Sequence, residues 1–156
     1  MKQAVIGLFL AAGLTACATT TVPSAWRTTS LSGAEASKVL KQCSRPTPAF
    51  QSIYALSPSE KSAVDAQLDK LATMKDVQGR SVRALGEYVY QYAGFVEKGT
   101  RKIYVNAIVP PPDDIIWQSQ ALIICDGGDL SFGAVYNPTV RAFSQFAING
   151  SYAADR

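Results

Sequence analysis

The stretch that decides the fold is YVYQYAGFVEKGTRKIYVNAIV, residues 88–109. Its first half places Tyr88, Tyr90 and Tyr92 at every second position, and this period of two predicts a β-strand. Residues 97–100, EKGT, are typical of a turn. Residues 102–109 alternate in the same way, so the stretch predicts a β-hairpin.

The residues after this hairpin predict more strands. Residues 121–125 are short and wholly apolar, which predicts a buried central strand, and residues 130–136 and 141–148 predict two further strands. Turns are indicated at 126–129 (DGGD) and 137–139 (NPT). Three consecutive prolines before Asp113 and Asp114 cannot join a sheet, so 110–114 is predicted to be a loop.

The residues before the hairpin predict helices. Ser32 and Glu35 have the spacing of a capping box, which predicts a helix from there to about residue 43. Ser57 and Glu60 repeat that spacing with Pro58 at the first helical position, and apolar residues then recur at helical intervals over 58–74. The fold class expected is α+β, with N-terminal helices packed on one face of a four- to five-stranded antiparallel meander sheet.

A different pattern occupies the N-terminus. Lys2 precedes a short apolar run over residues 4–12, which is too short to span a bilayer and is typical of a secretory signal. The next residues, Leu14-Thr15-Ala16-Cys17, resemble the lipobox of bacterial lipoproteins. The alternative is an ordinary secretory signal in which the cysteine is coincidental.

The lipobox resemblance implies a cellular location for the protein. Residues 1–16 would be removed as a signal peptide, and Cys17 would carry a diacylglycerol on its sulfur and an acyl chain on its new amino group. Residue 18 is alanine, and an aspartate there would resemble an inner-membrane retention signal. The resemblance therefore implies a protein anchored by lipid to the outer membrane and facing the periplasm. Residues 17–31 are expected to form a flexible tether, 32–150 a single domain and 151–156 a tail.

The amino-acid composition excludes several classes of function. The chain has no histidine, which excludes Ser-His-Asp and Cys-His nucleophiles and histidine-based metal sites. A net charge of +3 from 15 basic and 12 acidic side chains does not favour nucleic acid as a partner. We expect no catalytic residue, no cofactor and no resident metal.

Two cysteines remain once Cys17 is assigned to lipid. In an oxidising compartment, Cys43 and Cys125 are predicted to form a disulfide, which closes a long loop. The alternative is two free thiols. A nucleophilic Cys125 would need an activating base, which histidine cannot supply here.

Three features are candidates for binding. Asp126 and Asp129 flank two glycines and indicate a turn, with a cation site as the alternative. The Asp113-Asp114 loop suits a recognition tip. The strand face that carries the three tyrosines is either a contact surface or part of the core.

The order of elements over residues 57–148 resembles cystatin-like folds and the small helix-plus-sheet modules of bacterial inhibitor lipoproteins. This resemblance is architectural and carries no functional residues over. It leaves two functions open. One is a non-catalytic binding module of inhibitor or immunity type, directed at a periplasmic or envelope protein. The other is a structural or assembly accessory of the envelope.

Overall fold

Six strands form a mixed β-sheet in the part of the chain described by a computed structural model, residues 26–110 and 116–150. The strands are β1 (Thr28–Leu31), β2 (Ser52–Tyr54), β3 (Val89–Glu97), β4 (Thr100–Ile108), β5 (Ser131–Asn137) and β6 (Ala142–Ile148). Their order in the sheet is β1-β3-β4-β5-β6, and β2 also pairs with β3. Within these residues no helix has the length and apolar character needed to cross a membrane.

The four long strands form the antiparallel meander that their alternating patterns predict. The decisive hairpin turns at the expected place, with Glu97 opposite Thr100 and Val89 opposite Ile108. Gly99 has a φ of +74°, a conformation that glycine adopts without strain in a tight turn. The α+β class is therefore confirmed.

The expectation of a purely antiparallel sheet was wrong. β1 runs parallel to β3, with Thr28 opposite Tyr90, and β2 runs antiparallel to the other half of the same edge, with Ile53 opposite Phe95. β1 lies within the segment that was expected to be a tether. Its sequence TTSL has no apolar period, because a four-residue edge strand is held by backbone hydrogen bonds rather than by a buried face.

The helices are shorter than predicted and lie on opposite faces of the sheet instead of together on one. α1 spans Gly33–Val39 and α2 spans Pro58–Asp65. After α2 the chain forms a 3-10 helix, Leu68–Thr73. Because this helix has three residues per turn, Leu68 and Leu71 lie on the same side of it and pack against the sheet. The capping box at Ser57 and Glu60 is confirmed. At Ser32 the side chain makes no capping hydrogen bond.

Both faces of the sheet carry a core. The first, here called the tyrosine face, packs against α2 and the 3-10 helix. The second, the amide face, packs against α1 and carries two fully buried amides among its apolar side chains, Gln91 and Asn106. Two covered faces explain why β3 is buried almost throughout, whereas a strand with one wet face alternates in burial.

The predicted central strand at 121–125 does not exist. Residues 116–126, here called the covering segment, cross the amide face without joining the sheet. Side chains, rather than a neighbouring strand, form hydrogen bonds with its backbone N–H and C=O groups. Gln91 Nε2 donates to the carbonyls of Trp117 (2.7 Å) and Gln120 (2.6 Å), and Gln91 Oε1 accepts from the Leu122 amide at 2.9 Å. An apolar run with side-chain partners of this kind needs no neighbouring strand.

Candidate binding site

A groove of about 400 Å³ lies along the outer edge of β6. One wall is the loop 76–80, the floor is residues 145–148 of β6, and the far rim is formed by Ser44, Pro46 and Gly150. None of these residues was proposed as a site from the sequence. A concavity of this size is a candidate site for a ligand or partner.

The loop that walls the groove is fixed by one carboxylate. Asp76 Oδ1 accepts from the backbone amides of Gln78 (3.0 Å) and Arg80 (2.9 Å), and Asp76 Oδ2 accepts from Arg80 Nε at 2.7 Å. Burial alone would raise the pKa of Asp76, but these hydrogen bonds outweigh it and hold the pKa below its ordinary value. Asp76 therefore stays ionised at neutral pH, and its partners leave it little capacity for another ligand.

The same arginine caps the edge of the sheet. Arg80 Nη1 donates to the carbonyl of Asn149 and Nη2 to the carbonyl of Ile148, each at 3.0 Å. At the other end of β6, Lys70 Nζ donates to the carbonyl of Arg141 at 3.2 Å. Two cations therefore occupy edge carbonyls that an added strand would need.

A β-bulge blunts the middle of this edge. Val135 pairs with Ser144 and Gly133 with Ala147, so two residues of β6 lie opposite one of β5. One of the two, Gln145, has a φ of +49°, which costs a non-glycine residue roughly 1 kcal/mol. A bulge twists an edge strand away from regular pairing. The groove therefore suits inserted side chains better than an added strand.

Most of the surface that lines the groove is apolar. Val77, at the tip of the loop, is fully exposed at 102% of its reference area, whereas Phe146 and Ile148 on the floor are buried and belong to the core of the tyrosine face. The charges of Asp76 and Arg80 neutralise each other at 2.7 Å. What the groove presents to a partner is therefore an apolar contact on a neutralised rim.

The three tyrosines proposed as a contact surface belong to the core. Tyr88, Tyr90 and Tyr92 are each no more than 1% exposed. Their hydroxyls donate inward, to the Asp129 carbonyl (2.6 Å), the Leu85 carbonyl (2.6 Å) and Asp65 Oδ1 (2.8 Å) respectively. Burial raises the pKa of all three. Of the two interpretations of this strand face, contact surface or core, their burial supports the core.

The acidic candidates are not brought together into one site. Asp129 is paired with Arg83 Nε at 3.0 Å, and Asp126 lies exposed at the end of the covering segment. Gly127, with a φ of +104°, makes the turn between them, but the turn leads from the covering segment into β5 and joins no hairpin. In residues 26–110 and 116–150, no group of three or more carboxylate, thiol or imidazole side chains is arranged to hold a metal ion. Asp113, Asp114 and Cys17 lie outside the described residues.

The cysteine pair lies where the disulfide was predicted. Cys43 Sγ is 2.08 Å from Cys125 Sγ, and their Cα atoms are 4.9 Å apart. Both residues are exposed, and the bond joins the chain just after α1 to the covering segment. Closure of a loop with a separation of 82 residues stabilises the fold by roughly 4 kcal/mol in the chain-entropy model.

Two signals in the sequence point to what this reasoning missed. Gln91 and Asn106 are amides with aromatic or apolar residues on both sides in the sequence, and such residues indicate a buried polar partner. Val77 is the one large apolar residue in the loop Asp76–Arg80. No pattern in the sequence announces that the loop and β6 lie side by side.

Comparison with family models, curated proteins and solved structures finds no match to this chain.

Proposed function

We propose that this protein is a lipoprotein of the outer membrane, anchored through Cys17, whose domain binds another envelope or periplasmic protein and catalyses no reaction. The lipobox resemblance supports the anchor. The observation that carries the binding function is the fully exposed Val77 on the wall of a groove whose lining is mostly apolar. A buried apolar anchor in a pocket is the usual centre of a protein interface.

The chemistry of the groove supports binding over catalysis. Its carboxylate, Asp76, has a lowered pKa and accepts three hydrogen bonds, so it is a poor proton donor or base at neutral pH. The partner we propose inserts an uncharged apolar side-chain cluster, because the rim of the groove is electrostatically neutral. Strand addition is disfavoured by the bulge at Gln145 and by the edge contacts of Arg80 and Lys70.

Site-specific photocrosslinking in cells tests the binding surface. The full chain carries a photoreactive phenylalanine at position 77 or, as a matched control, at position 140. Val140 is likewise exposed, at 66%, but lies in the turn between β5 and β6. We expect an adduct of one defined mass from position 77 only. A mass equal to two copies of this chain would contradict a heterologous partner.

The affinity of the protein for this partner then tests whether the groove is the binding surface. With the crosslinked partner purified, Val77→Asp should weaken binding at least about tenfold, because a charge enters an apolar contact, whereas Val140→Asp should leave it within about twofold. Equal effects of the two substitutions, or the same adducts from both positions, would overturn the assignment of the groove.

The anchor is tested separately. The mature N-terminal peptide should begin at Cys17 and carry the mass of attached acyl chains, and Cys17→Ser should move the protein from the membrane fraction to the soluble fraction. An unacylated N-terminus at another residue would contradict the lipoprotein assignment and leave the groove proposal intact.

A further inference from the structure

A buried arginine lies against the amide face. Arg45 is 5% exposed and follows Cys43 by two residues. Its Nη2 donates to Asn106 Oδ1 at 2.5 Å, and its guanidinium carbon lies 5.9 Å from the ring centre of Tyr104. The planar group is therefore held between the chain after α1 and the strands β4 and β5.

This guanidinium has no counter-charge in the described residues. No carboxylate of 26–110 or 116–150 lies within 4 Å of it, whereas Arg80, Arg83 and Arg101 each have at least one. Within the same ranges, Arg45 Nε and Nη1 have no hydrogen-bond partner. Burial lowers the pKa of Arg45, but an arginine starts so high that it stays protonated at neutral pH. An isolated buried charge is costly, so a counter-charge is expected.

The surroundings of Arg45 offer further donors. The guanidinium packs against β5 at Gly133, which has no side chain. A Cβ at this position would lie only 2.6 Å from Nη1. Ser131, two residues earlier on the same face of β5, has a buried hydroxyl with no partner among the described residues, and so has Ser44 beside Arg45. Guanidinium and hydroxyl groups together are the donors that bind an oxyanion.

We propose that the protein binds a small oxyanion, a carboxylate or phosphate group, at Arg45, with the Ser44 and Ser131 hydroxyls as additional donors. The anion supplies the missing charge and satisfies Nε and Nη1. This site lies on the amide face. It shares Ser44 with the rim of the groove but does not include Val77, which carries the proposed groove contact.

Thermal unfolding of the full chain in chloride buffer tests the proposal, with sodium acetate or sodium phosphate added at constant ionic strength. At ten times the dissociation constant, we expect the wild-type Tm to rise by about 5 °C with at least one of the two anions. The comparison of acetate with phosphate shows whether the bound anion is a carboxylate or a phosphate. The rise should be absent in Arg45→Met and retained in Arg141→Met, since Arg141 is exposed.

A second variant keeps the test decisive if Arg45→Met does not fold. Asn106→Asp places a carboxylate at the position 2.5 Å from Nη2 and should abolish the anion-dependent rise. A rise in Asn106→Asp equal to that of the wild type, or no rise in the wild type, would overturn the proposal. So would a rise that appears only in the Asp113→Asn/Asp114→Asn double variant, because the chain would then supply its own counter-charge.

Discussion

Substitution of Gln91 by methionine tests whether side-chain amides hold the covering segment on the sheet. Methionine has nearly the same length but removes both polar atoms. The carbonyls of Trp117 and Gln120 and the amide of Leu122 then lose their partner on Gln91. Each buried backbone group left without a partner costs about 1–3 kcal/mol.

The lower end of that range applies, because Gln120 is exposed and water can reach part of the segment. Three backbone groups at about 1 kcal/mol each give a loss of about 3 kcal/mol. Asn106 Nδ2 also loses Gln91 Oε1 as an acceptor but keeps the Leu122 carbonyl at 3.1 Å, so it adds little. A domain of this size is stable by roughly 5–15 kcal/mol, so the variant should fold, with a Tm lower by about 10 °C.

Urea unfolding followed by circular dichroism measures the loss, and hydrogen exchange of the Leu122 amide locates it. The control is Gln118→Met, which changes an exposed glutamine of the same segment. If the two variants differ by less than about 1 kcal/mol, or if the Leu122 amide stays protected in Gln91→Met, the argument for the amide network is refuted.

Three further predictions concern stability. Gly94→Ala should destabilise the domain by about 1–3 kcal/mol, because its Cβ would lie 2.7 Å from the Tyr54 carbonyl oxygen, whereas Gly86→Ala meets nothing within 4 Å and should be nearly neutral in urea unfolding. Ser57→Ala should cost about 1 kcal/mol through loss of the capping box, and Ser32→Ala clearly less, since its side chain caps nothing; equal losses by calorimetry would contradict this. Folding lowers the pKa of Asp76, so its contribution is present at neutral pH and disappears as the pH falls through that lowered pKa; the stability gap between wild type and Asp76→Asn should be larger at pH 7 than at pH 3.

The meander was predictable because its information is local. Alternation in β3 and β4 and the turn at Gly99 specify a hairpin without reference to the rest of the chain. The capping box at Ser57 succeeded for the same reason. The identical spacing at Ser32 did not form one, because Glu35 Oε2 instead accepts from the Ala121 amide at 2.8 Å. A partner 86 residues away competes with the local one, and no local pattern reveals it.

The covering segment shows the same limit for strands. An apolar run such as 121–125 predicts burial, and burial with β-branched residues usually means a strand. Here Gln42, Gln91 and Asn149 hydrogen-bond its backbone, so the ladder is replaced by side chains from three distant places. The groove was invisible for a related reason, since Val77 and Phe146 meet only through the tertiary fold.

The position of β1 in the sheet determines which edge of the domain a lipid anchor on Cys17 would attach. Ten residues separate Cys17 from Thr28, and such a length of chain spans at most about 35 Å. β1 lies on one edge of the sheet and β6 on the other, four strand spacings or about 19 Å away. A protein tethered through Cys17 would therefore be attached at its β1 edge, and the groove beside β6 would lie at the opposite edge of the sheet, about 19 Å farther from the point of attachment.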